Sequence, residues 1–247
     1  MIYIVIRETT DWEDEATVTA QLPEGFAPTV ALWNDTFNLP FHLFRSELKK
    51  ISQLSHSRVE GASVVPLEDV PEGAWVAPSD DDDWFSPDLV SVLEPNLDAG
   101  YSGACWPTRF LEVPIDWIHE IGLLRGAILA SPPSTWTCTS NNHALKNDPE
   151  MLPLTASHVA ASRWFDQHSG RIKKLDTPLS IQNRHLGSMT SLRFRWKRQG
   201  MTRPMLIRKF QRYRKLYASR GLSDELAWAR PYVDLVAQLM DELHVKK

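Results

Sequence analysis

The residues in this chain whose type and spacing most directly imply chemistry are four carboxylates in a row, Asp80, Asp81, Asp82 and Asp83. Adjacent carboxylates repel one another and raise each other's pKa, so a fold that gathers them at one turn has a cation to hold or a task for them. The preceding Gly73-Ala74-Trp75-Val76-Ala77-Pro78 predicts a short buried strand. The following Ser86-Pro87-Asp88-Leu89-Val90 predicts a helix start, with Ser86 as N-cap and Pro87 at the first helical position. Strand, acidic turn and helix in that order frame a site where oxygen ligands hold a hard divalent ion beside a substrate phosphate. The competing reading is a solvated acidic loop.

The stretch from Asp80 to Leu89 resembles the metal-binding motif of GT-A-fold glycosyltransferases, in which a strand ends in Asp-x-Asp-Asp and leads through a Pro into a helix. Asp80, Asp82, Asp83 and Pro87 fall on that pattern, and the four-Asp form is similar to the rhamnosyltransferase group of bacterial GT-A proteins. The resemblance covers roughly Val64 to Ala104 and is only loosely echoed by the opening strand Ile2-Tyr3-Ile4-Val5-Ile6-Arg7. It implies an α/β fold, a GT-A-like mixed sheet flanked by helices with a helical C-terminal portion. Residues 1–190 would form the nucleotide-sugar and acceptor domain and 191–247 a basic helical extension.

The resemblance also implies a divalent ion, Mn²⁺ or Mg²⁺, neutralising the diphosphate of a nucleotide-sugar donor as it leaves with developing charge. Asp82 would be the direct ligand, with Asp80 at the ribose or the metal's water shell. Asp81 and Asp83 would lie on the donor side, Asp83 at the sugar. A late histidine often adds a metal or phosphate contact in such enzymes, and His185 is the candidate, with Arg184 and Arg193 as donor-binding cations. An inverting transfer needs a base for the acceptor hydroxyl. His158 and Asp166 are the candidates, with Asp148 and Glu150 just upstream as further ones. An enzyme that retains anomeric configuration needs no dedicated base.

The elements that must position these residues follow from periodicity. Residues 2–8, 29–33, 62–67 and 100–106 predict strands. Leu43 to His56 predicts an amphipathic helix, as does Thr155 to His168 with Thr155 as its cap. Leu192 to Tyr217 predicts a basic helical stretch broken around Gly200 and Pro204, and Ser223 to His244 a last helix interrupted at Pro231. Asn141 and Asn142 read as sugar contacts or as turn caps. In α/β sheets ligands collect at the carboxyl ends of strands, where the aspartates are expected.

Composition bounds the rest. The 247 residues, 43% hydrophobic and with ten tryptophans, are enough for a real core. Apolar runs fall short of the roughly 18–20 residues needed to span a bilayer, and the N-terminus lacks the basic segment of a secretory signal. Two cysteines are too few for a disulfide scaffold, so the expected compartment is the cytoplasm. The net charge of −4 conceals an asymmetry: Arg193 to Arg220 contains no acidic residue and many Arg and Lys. That segment implies an anionic partner and opens two alternatives to a saccharide-directed transferase. One is a phage-type glycosyltransferase of DNA bases, the other a non-enzymatic nucleic-acid-binding protein.

Overall fold

A computed structural model describes residues 1–7, 14, 16, 27–97, 100–107, 109–112, 128–130, 141–188, 200–219 and 221–247. The chain forms two compact units, neither continuous in sequence. The first contains residues 1–8, 52–110 and 129–183, the second 9–51, 111–128 and 184–247.

The first unit is built on a six-stranded mixed sheet, so the expected α/β class is met at that level. Its strands are β1 (Ile2–Arg7), β2 (Ala62–Val64), β3 (Trp75–Asp80), β5 (Gly103–Cys105), β8 (His143–Lys146) and β9 (Ile172–Lys174). They lie in the order β2-β1-β3-β8-β5-β9. β1 is parallel to both β2 and β3, β8 is antiparallel to β3 and β5, and β5 is parallel to β9. A second sheet has the order β4-β10-β6-β7, from β4 (Trp84–Phe85), β6 (Arg109–Glu112), β7 (Ile128–Ala130) and β10 (Ser180–Arg184).

Alternation along the strands divides the large sheet into two apolar faces. Ile2, Ile4, Trp75, Ala77, Ala104 and Ala144 point to one face, where Leu89, Val90 and Leu93 of the short helix α3 (Leu89–Leu93) cover them. Cys105, Leu145 and Ile172 point to the other, where Ala161 and Phe165 of α4 (His158–Gln167) pack. Burying a ring such as Phe165 contributes about 1.5–3 kcal/mol. Ser157, rather than Thr155, caps α4, its hydroxyl accepting from the Ala160 amide at 3.3 Å. α3 begins two residues later than expected. Ser86 Oγ accepts from the Asp88 amide at 3.2 Å and the Ser86 carbonyl from the Leu89 amide at 3.1 Å, so Ser86 and Pro87 form a turn ahead of the helix, and the Ser86 amide donates to the Leu179 carbonyl at 2.8 Å.

The second unit is helical. Residues 29–33, expected as a strand, lie within helix α1 (Ala27–Thr36). A short β-branched run cannot by itself be told from a buried helical turn. Here Thr29, Val30, Trp33 and Thr36 are buried at helical spacing, and tertiary packing overrides strand propensity. Trp33 meets Phe37, Phe41 and Phe44 with ring centroids 4.8, 5.3 and 5.0 Å away. Phe41 and Phe44 belong to α2 (Phe41–Ser57), whose residues from Ser52 onward are in the first unit. α5 (Arg203–Ser219) and α6 (Arg230–Glu242) pack against each other, and Leu206, Phe210, Tyr213, Val233 and Val236 are among their buried residues. Pro204 and Pro231 sit in the first turns of these helices, where a missing N–H costs nothing, so each starts a helix instead of breaking one. Among the described residues no helix is long and apolar enough to cross a membrane.

Gly103 of β5 is packed closely by its neighbours in the first unit. A Cβ there would meet Ile172 Cδ1 at 2.8 Å and Phe165 Cζ at 2.9 Å. Gly103→Ala is therefore expected to cost about 1–3 kcal/mol by overpacking. Urea unfolding should report it as a lower midpoint with an unchanged slope.

Candidate functional site

The chain leaves β1 toward β2 on one side, whereas β3 lies on β1's other side and leads on toward β5. The carboxyl ends of β1 and β3 therefore flank a point where the strand order reverses, the position at which open α/β sheets bind ligands. The parallel register aligns Arg7 with Asp80 there. Arg7 Nη2 pairs with Asp80 Oδ1 at 3.0 Å, and Nη1 reaches to 3.5 Å from the Thr155 carbonyl, ahead of α4.

The four aspartates alternate. Asp80 and Asp82 are partly exposed, whereas Asp81 and Asp83 are buried, at 5% and 1% exposure. Asp83 Oδ1 accepts the Asn183 backbone amide at 3.0 Å, tying the turn to β10. Asp80 is pushed up to about 6, first by burial and then by the neighbouring charges of Asp82 and Asp81, while Arg7 pulls it down. Its side chain keeps 39% exposure, so this is a crowded carboxyl at the mouth of the site and not one sealed from water.

His158, at the start of α4, belongs to the same neighbourhood: burial and the Arg7 charge both lower its pKa, which keeps the ring neutral near pH 7. The other described sequence candidates are exposed or committed to contacts of their own. Asp166 is exposed in the last turn of α4, roughly 12 Å along the helix from His158. Asp148 Oδ1 accepts the amides of Glu150 and Met151, both at 2.9 Å. Glu150 is clamped by Arg171 through both oxygens at 3.1 Å and by Trp164 Nε1 at 3.2 Å, which holds its pKa below the usual range. Asn141 and Asn142 are buried and donate to the carbonyls of Ile181 and Trp106 at 2.9 and 3.0 Å, so both hold backbone. His185 is fully buried in the second unit, with Nε2 3.1 Å from Arg45 Nη1 and its ring edge-on to Phe44. Arg193 and the side chain of Arg184 lie outside the described residues.

Three residues on one face of α2 support the acidic turn from behind. Ser52 Oγ donates to the Asp83 carbonyl at 2.6 Å. Ser55 Oγ accepts the Phe85 amide at 3.0 Å and faces the Phe85 carbonyl at 3.3 Å. His56 Nε2 lies 3.1 Å from Ser79 Oγ, which donates to the Asp80 carbonyl at 3.1 Å. Because the Ser79 proton is spent on that carbonyl, His56 must donate from Nε2, leaving Nδ1 a buried lone pair with no hydrogen-bond partner among the described residues. Burial accordingly lowers the His56 pKa to about 4. The sequence signal for this support is polar Ser52, Ser55 and His56, spaced i, i+3, i+4, interrupting a helix face otherwise lined by Leu48 and Ile51.

Among the described residues no three His, Cys, Asp or Glu side chains are gathered as a metal-binding group. The chemistry of Asp80 and Asp82 instead suits an ion bound by one or two carboxylates and completed by substrate phosphates. No protein-family model matches the chain, and neither does any curated protein sequence.

The His56 shift sets a pH dependence. Its folded pKa of about 4 lies below the ordinary value of 6.5, so its contribution to stability is present above 6.5 and is lost as pH falls through 4. Asp80 has the opposite sign, its contribution present below its ordinary value and lost as pH rises through about 6. Compared with His56→Phe, the wild type should lose about 3 kcal/mol of unfolding free energy between pH 7 and pH 4. Urea titrations of the two proteins across that window measure the difference and cancel the Asp80 effect.

Proposed function

We propose that this chain is a metal-dependent glycosyltransferase of the GT-A type, moving a sugar from a nucleotide diphosphate to a hydroxyl acceptor. The observation that carries the reading is the alternation at the end of β3: Asp80 and Asp82 reach the surface, and Asp81 and Asp83 turn inward. An Asp-x-Asp pair is thereby presented at the carboxyl edge of the sheet, where the strand order reverses. The raised pKa of Asp80 supports it, because burial first and the charges of Asp82 and Asp81 after it, offset in part by Arg7, disfavour the ionised carboxyl, a cost that a bound cation relieves.

In this reading Asp82 and Asp80 hold a Mn²⁺ or Mg²⁺ ion together with the donor diphosphate. When bound, the ion offsets the charge that develops on the departing nucleoside diphosphate. Arg7, a fixed cation beside Asp80, adds to the same electrostatic stabilisation. The acceptor oxygen forms the new bond to the anomeric carbon as the bond to the diphosphate breaks. Neutral His158 takes the hydroxyl proton on a ring nitrogen, and the electron pair of the broken bond stays with the nucleotide. A saccharide is the acceptor class this reading favours.

The alternative, nucleic-acid binding through the basic segment, rests on Arg208, Arg212 and Lys215, exposed along one face of α5. On the same helix Arg214 pairs with Asp241 at 2.8 Å and Arg203 donates to the Lys246 carbonyl at 2.5 Å.

Thermal unfolding against a panel of nucleoside diphosphates, with Mn²⁺, Mg²⁺ or chelator, tests the two readings. The transferase reading expects a metal-dependent shift for one nucleotide, lost in Asp82→Asn and shrinking below about pH 6 as Asp80 takes up a proton. His158→Gln should keep that shift while turnover falls by roughly 10²–10⁴-fold. No shift with any nucleotide, together with salt-sensitive DNA binding lost on charge reversal at Arg208 and Arg212, would instead establish the basic face as the functional one.

A further inference from the structure

We propose that Ser52, Ser55 and His56 are positioning residues of the acidic site, a buried clamp on α2 that sets which aspartates of the turn face the ligand. The proposal rests on the transferase reading insofar as the turn's task is to hold a divalent ion. Its geometric basis is independent of the nucleotide, the sugar and the acceptor.

Four consecutive aspartates carry no intrinsic preference for which of them faces out, because like charges side by side favour whatever conformation spreads them. The choice is imposed through the backbone. His56 acts on the entry side through Ser79, whose hydroxyl donates to the Asp80 carbonyl. Ser52 acts on the exit side at the Asp83 carbonyl, and Ser55 engages both backbone groups of Phe85 one step further on. The clamp residues are 1%, 0% and 3% exposed for Ser52, Ser55 and His56, so water does not compete for these bonds. Spacing of i, i+3, i+4 puts all three on one face of a helix, and a rigid helix thus grips the turn on both flanks. Asp83, bonded from the other side by the Asn183 amide, completes the restraint. An ion site completed by substrate oxygens relies on such outer partners to hold its few carboxylates in place.

The clamp makes two kinds of statement that a merely structural role does not. Removing one of its bonds should weaken ion binding out of proportion to any loss of stability. A core substitution of equal destabilisation elsewhere in the same unit should leave ion binding unchanged. Ile172→Val serves as that control: Ile172 lies on β9, three strands from β3 in the sheet order, and packs on Cys105 and Leu145.

The experiment measures Mn²⁺ affinity of the full chain by water-proton relaxation, in parallel with urea unfolding. The proteins are the wild type, Asp82→Asn, Ser52→Ala, Ser55→Ala, His56→Phe and Ile172→Val. The expected result is Mn²⁺ binding by the wild type that is abolished in Asp82→Asn. It should be about 5–10-fold weaker in Ser52→Ala and His56→Phe, a range corresponding to one lost buried hydrogen bond. It should be unchanged in Ile172→Val at comparable loss of stability. Ser52→Ala and Ser55→Ala each delete a single oxygen, so at least one folded clamp variant reports even if His56→Phe does not fold. Mn²⁺ binding that is lost in Asp82→Asn but retained at wild-type strength in every folded clamp variant overturns the clamp and leaves the transferase reading standing. Weakening in Ile172→Val equal to that in the clamp variants also overturns it. Absence of Mn²⁺ binding in the wild type, both alone and with each nucleoside diphosphate of the panel, overturns both.

Discussion

The parallel pairing of β1 with β3 is the interaction on which the rest of the site depends. It runs the full length of both strands, from Ile2 opposite Trp75 to Arg7 opposite Asp80, and is driven by side chains buried on both faces of the sheet. Because side chains alternate at period two, a slip of one residue would send Arg7 and Asp80 to opposite faces and Ile2 and Ile4 out of the core. The apolar part of the strands thus sets the register, and the register delivers one cation and one carboxylate to the same edge. The ion pair at 3.0 Å is a consequence of that burial and contributes little to it, since Asp80 remains partly open to water.

Around this pair the structure separates charges by role. The inward aspartates serve the fold, Asp83 by accepting a strand amide. The outward ones stay partly exposed, where burial first and the charges of Asp82 and Asp81 after it raise Asp80 while Arg7 opposes them. Behind the turn, hydroxyls and a neutral imidazole do the holding, which adds no further charge to a crowded place. In front, His158 is kept neutral by partial burial and by the same Arg7 that restrains Asp80, so a single guanidinium acts on both groups. Its hydrogen-bond reach to the Thr155 carbonyl links the sheet edge to the segment that leads into α4.

The second unit carries a different chemistry. Its core is aromatic, with Trp33 surrounded by Phe37, Phe41 and Phe44, and its histidine and arginine, His185 and Arg45, meet inside it. The basic face of α5 stays outside, with Arg208, Arg212 and Lys215 exposed and Arg214 balanced by Asp241 of α6. Expected strand residues 29–33 are helical here because a bulky Trp33 and its neighbours bury better at helical spacing against other rings than along a strand.

Local pattern made several features legible from the residues alone. The apolar run to Pro78 announced β3, the four aspartates announced the turn at its end, and the amphipathic stretches announced α2, α4, α5 and α6. Each depends on neighbours a few positions apart, whose periodicity survives in any fold that buries an apolar face. What only the tertiary structure decided are the juxtapositions across long separations. Arg7 meets Asp80 through strand register, and the Thr155 carbonyl comes within reach of Arg7 across 148 residues. The clamp joins Ser52 to Asp83 across 31 residues and His56 to Ser79 across 23. Most decisive is the alternation of the aspartates. Four identical side chains in a row contain no local signal for which should face out, so that choice is made by the backbone hydrogen bonds that α2 and β10 impose on the turn.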